Sequence, residues 1–343
     1  MSGKWLIGNL PPPVGGQSLI TLLVAENLPF DKKVNTSYFG IRSLLYLMYN
    51  LVMIRFRHNS SNTLYIVPSR GRLTIWRELL FCVLWKGQVV AHIHGNDYHW
   101  IFGKGPYRTI VKRALQRKVT KMICVNDAQK RDFNMLGIDS CVVRNPVLLD
   151  TDDVSQRCNR EFDFGFISVI MASKGIFDAL DLFENILLKR SVRIVIAGPF
   201  RGDDEMSEER VQKIFFKRVA AINNLVSDSV IYIGEVHGKD VARFYNSIRF
   251  LLFQSRFRSE SFGLVLIEAL SMAVIPIISD NPVLKSTLKD FYYLTETDNI
   301  ISCLDKDFSS EIIKNRKEVL EGYSKDMFLK KIEDEIYANS NNG

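Results

Sequence analysis

The residues best suited to chemistry are two glutamates, Glu260 and Glu268, at the ends of Glu-Ser-Phe-Gly-Leu-Val-Leu-Ile-Glu. The run is apolar and reads as a helix that opens near Phe262 and Gly263. A helix start offers backbone N–H groups and a partial positive charge, which suits phosphate, while carboxylates accept hydrogen bonds from sugar hydroxyls. Together they read as a nucleotide-sugar site. The plainer reading is a core helix with a stray acid, but an unpaired carboxylate within Leu-Val-Leu-Ile-Glu-Ala-Leu would be costly to bury. Glu268 therefore needs a partner or a task. Lys174, at the strand-to-helix turn Ser173-Lys174-Gly175, is the counter-charge a diphosphate requires; without its neighbours it would read as a surface lysine. Elsewhere, the strand Val89 to His94 runs into Gly-Asn-Asp-Tyr-His99, at the strand end where open α/β sheets hold ligands. His94 is structural or catalytic on this reading. Gly15 and Gly16, which close Pro11 to Gly16 between a strand and a helix, form a plain turn or let backbone approach a ligand; the pattern is not G-x-G-x-x-G.

The elements that must position these groups alternate along the chain. Strands are expected at Lys4 to Asn9, Val89 to His94, Lys121 to Val125 and Cys141 to Arg144, and helices at Gln17 to Asn27, Arg42 to Arg57, about Leu79 to Trp85, Tyr107 to Lys121 and after the cap Asn126-Asp127. The composition turns polar over Thr151 to Arg160, and the alternation then restarts. Strands follow at Phe162 to Ser168, Val192 to Ala197, Val230 to Gly234, Phe250 to Phe253 and Val274 to Ser279. Helices between them cover Ile176 to Leu188, Ser207 to Leu225 and Lys239 to Ser247. Strand–helix alternation predicts parallel sheets, and 343 residues exceed what one core usually holds. Two doubly wound α/β domains are expected, residues 1–150 and 151–324, with a C-terminal helix of about 325–343 packing back on the first and residues 338–343 fraying.

Charge divides unevenly between them. Residues 1–150 hold 20 Lys and Arg against 8 Asp and Glu, a net +12, which leaves 25 against 30, or −5, for the rest. The basic half suits nucleic acid, an anionic membrane surface or a phosphorylated acceptor. It contains no recognised nucleic-acid motif, so that partner is not expected. Leu44 to Ile54, bounded by Arg42, Arg55 and Arg57, and the run Leu79 to Trp85, preceded by Arg70, Arg72 and Arg77, are core helices or apolar faces resting in a lipid interface. The five scattered cysteines, without CxxC spacing, argue against a disulfide framework or zinc site. The chain shows neither a signal peptide's apolar region nor an uncharged run of the roughly 20 residues a span needs. A cytoplasmic protein, peripheral on the inner face of the cell membrane, is the expectation.

These motifs in this order resemble the retaining family-4 glycosyltransferases of the GT-B fold, particularly bacterial members that build surface polysaccharides. Glu260 to Glu268 is similar to their E-x7-E element, Ser173-Lys174-Gly175 to their lysine turn, Gly198 to a strand-end glycine, Pro11 to Gly16 to an N-terminal glycine loop, His94-Gly95 to a histidine loop, and Asn145-Pro146 to the pair before the interdomain linker. The resemblance runs nearly end to end. It implies two Rossmann-like domains facing a central cleft, the C-terminal one holding a nucleotide-sugar donor and the N-terminal one a lipid-diphosphate-linked saccharide acceptor. By the same resemblance Glu268 binds ribose, Glu260 the transferred sugar and Lys174 the diphosphate, helped by backbone at Phe262, Gly263 and Leu264. Gly15 and Gly16 approach the donor phosphate, and His94 contacts the donor sugar. Retention of configuration is implied, with no cofactor and no metal; Asp203-Asp204-Glu205 reads as a solvated loop rather than a metal site.

Departures from that pattern are specific. Val169 stands where many members carry an arginine as a second phosphate cation, five residues before Lys174, and Arg256 or Arg258 is a candidate replacement. Ala273 replaces a glycine, and Asn281 to Lys285 replaces a glycine pair with a following acid. Two other readings stay open: a nucleotide-sugar epimerase on the same fold, and a non-catalytic nucleotide-sugar-binding partner subunit.

Overall fold

The computed structural model describes residues 3–12, 15–37, 41–57, 62–68, 74–151 and 160–337. The expectations for Arg70, Arg72, linker residues 152–159 and the terminal residues 338–343 fall outside this set. The chain divides into two compact units, Met1–Pro146 with Lys325–Gly343, and Val147–Ser324.

In unit 1 the order is β1 (Lys4–Gly8), α1 (Gly16–Asn27), β2 (Lys32–Asn35), α2 (Ile41–Arg57), β3 (Thr63–Ile66), α3 (Ile75–Leu84), β4 (Gln88–Ile93), α4 (Pro106–Lys118), β5 (Lys121–Cys124), α5 (Asp127–Met135) and β6 (Ser140–Val142). Unit 2 continues with β7 (Phe162–Ile167), α6 (Ile176–Leu187), β8 (Ile194–Ala197), α7 (Glu208–Leu225), β9 (Val230–Tyr232), α8 (Lys239–Ser247), β10 (Ile248–Phe253), α9 (Leu264–Ser271), β11 (Ile275–Ile278), α10 (Pro282–Leu288), β12 (Leu294–Thr295), α11 (Ile300–Cys303) and α12 (Ser309–Gly322). The last helix, α13 (Lys325–Tyr337), returns to unit 1, where Phe328, Ile332 and Ile336 are buried and the Lys4 ammonium lies 3.4 Å from the centre of the Tyr337 ring.

Each unit has one six-stranded sheet among the described residues, and all its strand pairings are parallel. Strands such as Ile-Val-Ile-Ala (β8) and Ile-Pro-Ile-Ile (β11) are buried throughout, as a sheet covered by helices on both faces demands. The unit 2 order β12-β11-β10-β7-β8-β9 reverses direction between β7 and β10. Loops leaving the carboxyl ends of those adjacent strands bound the crevice in which such sheets bind ligands. Unit 1, ordered β2-β1-β3-β4-β5-β6, has its reversal between β1 and β3. There the Gln17 amide, beyond the glycine loop after β1, donates to the Pro68 carbonyl after β3 at 3.2 Å.

β2, β3 and β12, strands of two to four residues, are not among the elements expected from the sequence. The last two helices are divided between the units: α12 packs on α9 in unit 2, and α13 belongs to unit 1. Arg160, placed in the polar linker by composition, is buried, and its guanidinium donates to the carbonyls of Ile248 (2.5 Å) and Met272 (2.7 Å). Backbone oxygens at the start of β10 and at the C-cap of α9 make an internal anchor of it.

Gly198, at the end of β8, has φ +139, and a Cβ there would lie 1.8 Å from the Ser168 carbonyl oxygen. Its own carbonyl accepts from the Tyr232 hydroxyl at 2.9 Å. Gly198→Ala is expected to cost unit 2 more than about 3 kcal/mol, because backbone strain and a backbone clash coincide. Urea unfolding followed by circular dichroism measures it.

Candidate functional site

The two turns at the β7/β10 reversal are joined by backbone. Lys174 ends a 3-10 turn, Ala172–Lys174, and Gly175 follows at φ +77 as the cap of α6. A Cβ on Gly175 would sit 2.0 Å from the Gln254 carbonyl oxygen, so only glycine lets this turn reach the end of β10. From the other side, the Arg256 N–H donates to the Ser173 carbonyl at 2.8 Å.

Those contacts bring Lys174 against Glu260. Its ammonium lies 2.6 Å from Glu260 Oε2, with the side chains only 16% and 12% exposed, and 4.6 Å from the centre of the Phe257 ring. The other carboxylate oxygen of Glu260 accepts from the Gly263 N–H at 3.2 Å. Gly263 is the left-handed N-cap of α9 at φ +70, so Glu260 links the lysine directly to a helix N-terminus. Lysine has three donors, and one carboxylate does not exhaust them. The arrangement sets a fixed cation and a helix start side by side, with Phe262 and Leu264 on either side of the cap.

Glu268 lies in the body of α9, half-buried, where Tyr245 of α8 donates its hydroxyl to Oε2 at 3.1 Å. Burial pushes its carboxyl up to about 7, against the smaller opposing pull of the Tyr245 hydrogen bond. Tyr245 is the partner that the apolar surroundings of Glu268 required but that its own sequence did not disclose; Phe-Tyr in an amphipathic helix carries no signal of it.

The two candidate arginines differ in their commitments. Arg256 pairs with Asp178 and reaches Glu205 at 3.6 Å, so with its backbone bond to Ser173 it clips the loop to the lysine turn. Arg258 is exposed and forms no ion pair among the described residues. It lines a cavity of about 460 Å³ together with Glu260, Ser255, Asn281 and Glu296. The segment Asn281 to Lys285 begins α10, and the Asn281 side chain donates to the Ser255 carbonyl at 3.0 Å. The substituted segment thus supports the site loop from below.

Asp203 departs from the solvated role expected of it. Desolvation pushes its carboxyl up, but hydrogen bonds from the backbone N–H groups of Ser173, Glu205 and Met206 outweigh this and leave it below the usual range. It caps the turn that carries Lys174. Among the described residues no group of three or more His, Cys, Asp or Glu is placed to hold a metal ion.

In unit 1, Gly15 is the extended N-cap of α1, and a Cβ on Gly15 or Gly16 would meet nothing within 4 Å. His94 is buried just past β4, its ring 4.0 Å from that of His92, two residues earlier on the same strand face. Burial, and then His94, hold the His92 imidazole well below its ordinary range; its Nδ1 lies 2.5 Å from the Tyr65 hydroxyl. The loop after His94 is clamped by buried Gln129, which donates to the Gly95 carbonyl and Asn96 Oδ1 and accepts from the Val125 N–H. The spacing of His92 and His94 is a signal visible in the sequence; Gln129, a polar residue in an ordinary helix, is not.

Known proteins share this architecture. Residues 151–306, all within unit 2, match the family described as glycosyl transferases group 1. Across both units the chain superposes on solved structures. A glycosyltransferase from Rickettsia africae has TM-score 0.73 and 15% identity over 100% of each chain. Anabaena Alr3699/HepE, solved in complex with UDP and glucose, has 0.70 and 14% over 98% of this chain and 100% of that one. Sucrose-phosphate synthase from Thermosynechococcus elongatus has 0.71 and 14% over 97% and 98%. The fold is GT-B. No curated protein matches the chain in sequence.

Glu268 generates a pH test. Its carboxyl titrates near 4.5 in the unfolded chain and near 7 in the folded one, so between those values the folded chain binds the extra proton. The resulting stability is complete below the window and lost as pH rises through about 7. Between about pH 5.5 and pH 8 the wild type is expected to lose about 2 kcal/mol more than Glu268→Gln, read from parallel urea titrations.

Proposed function

We propose that the chain is a retaining glycosyltransferase that moves a sugar from a nucleotide-diphosphate sugar to a lipid-diphosphate-linked saccharide in surface polysaccharide synthesis. The observation that carries this is the Lys174–Glu260 pair at the N-terminus of α9. The match over residues 151–306 and the UDP and glucose held by Anabaena HepE support the donor class.

Breaking a glycosyl–phosphate bond builds negative charge on the departing diphosphate. A fixed ammonium beside a helix N-terminus stabilises that charge where it develops, without reorganisation. Lys174 neutralises the diphosphate, backbone from Phe262 to Leu264 assists, and Glu260 accepts from hydroxyls of the transferred sugar while holding the lysine. Glu268 accepts from the ribose hydroxyls. Arg258 supplies the second cation that Val169 does not, since Arg256 is occupied by Asp178. In unit 1, Gly15 and Gly16 are assigned to the donor phosphate and His94 to the donor sugar. On this reading the chemistry needs no metal or cofactor.

A thermal-shift screen of nucleotide sugars should find the donor, since a ligand of the native state raises its melting temperature. Transfer to lipid-linked acceptors is then measured for Glu260→Gln and Lys174→Gln, which keep the side chains' reach. Each is expected to lower kcat/KM at least about 100-fold, the scale of losing one preorganised charge. Full activity in both would remove this site from the reaction. Arg258→Ala is expected to weaken donor binding about tenfold, an ordinary cost for a charge-assisted phosphate contact, and Arg256→Ala to act chiefly on stability. The reverse pattern exchanges the two assignments. Product formed from donor alone would point to the epimerase, and donor binding without turnover to the partner subunit.

A further inference from the structure

The outer helices of unit 1 do not present a water-facing surface. In α2, Leu47, Asn50 and Ile54 are at most 8% exposed, whereas Leu45, Met48, Tyr49 and Val52 on the opposite side are 51–64% exposed. The second set follows the i, i+3, i+4, i+7 spacing of a single helical stripe. A helix that is apolar on both sides needs a neighbour on both. The strand order places β2, β3, β4 and β5 successively in one direction across the sheet, so right-handed crossovers put α2, α3 and α4 on the same face. α3 packs against both of the others. Leu80 and Val83 of α3 and Ile110 of α4, 47–55% exposed, extend the apolar surface across all three.

Charge identifies the neighbour. Residues 32–121, which contain these helices, hold 16 Lys and Arg against 2 acids, a net +14 where the whole chain has +7. One of the two acids, Glu78, is buried against Arg77 at 2.6 Å and does not offset the surface. Lys33, Lys86, Arg113 and Arg117 are exposed, the last two at i+3 and i+7 from Ile110 on α4.

We propose that the α2–α3–α4 face docks on an anionic lipid bilayer, with α2 lying in the interface. An apolar stripe edged by cations matches acyl chains beneath anionic headgroups, and the phenols of Tyr46 and Tyr49 suit the boundary between them. The 17 residues of α2 span about 25 Å, and no described helix is long and apolar enough to cross a membrane. A second copy on this face would set two strongly positive surfaces together, which opposes a symmetric dimer. A nucleic acid would use the cations and leave the stripe exposed. The inference is independent of the transferase reading, because it concerns a surface on which none of the proposed donor groups lies.

The test is flotation of the full chain with vesicles of phosphatidylcholine alone or with about a quarter phosphatidylglycerol, at low and high salt. The expected result is at least about tenfold more bound protein on the anionic vesicles at low salt, falling steeply with added salt. Leu45→Glu with Val52→Glu, and separately Arg113→Glu with Arg117→Glu, should each reduce binding at least about tenfold with an unchanged melting temperature. Met48→Ser with Val52→Ser is the milder check should the first pair unfold. Equal flotation on both vesicle types, or wild-type binding by a folded stripe variant, overturns the proposal. So does a lipid-free dimer that the stripe variants dissociate, which would make a second copy the occupant.

Discussion

The candidate site in unit 2 depends on a close approach of backbone to backbone. β7 and β10 are neighbours in the sheet, and the turns leaving them must meet for Lys174 and Glu260 to pair. Gly175 permits the contact, since any side chain there would strike the Gln254 carbonyl, and the Arg256 N–H secures it by binding the Ser173 carbonyl. Asp203 holds the lysine turn from one side, while Asn281 and Thr287 of the α10 segment hold the glutamate loop from the other. The ion pair is therefore the visible end of a hydrogen-bonded frame. Its low exposure makes each charge the main compensation for burying the other.

Electrostatic roles divide between the two acids. Glu260 is committed to a cation and to a helix N-terminus, so its charge is stabilised where it sits. Glu268 has one phenolic donor and a carboxyl pushed up by burial, so its charged form lacks comparable support. Gly198 has a structural commitment of its own: its φ and the nearby Ser168 carbonyl leave no room for a side chain, and its carbonyl accepts from the Tyr232 hydroxyl.

Unit 1 shows the same economy on a different scale. The polar side chain of Gln129 fixes the loop after His94 through two hydrogen bonds and is itself held by the Val125 N–H, so the segment after a strand-end histidine is placed by a residue far downstream in the chain. The opposite tendency appears on α2, where apolar side chains exceed what the unit itself can bury.

Much of the architecture is legible in the chain. Buried strands read as uninterrupted apolar runs, helices begin at Asn126, Ser207 and the lysine turn, and the order of glutamate, lysine and glycine elements carries the resemblance to glycosyltransferases of the GT-B fold. The strand Lys32–Asn35 is not legible, because Lys-Lys-Val-Asn contains no apolar run and edge position is a property of the sheet. Residue order suffices to say which side-chain types lie at the carboxyl ends of which strands, because local patterning sets the elements and the connections between them. Which charges are paired is settled by tertiary packing: Arg256 is held by Asp178 while Arg258 lines a cavity, Glu268 has Tyr245, and Glu260 meets Lys174 at the start of the very helix their motif begins. Those pairings join residues 23 to 86 positions apart, and no one-dimensional spacing encodes the distance between two side chains that meet only when a sheet reverses direction.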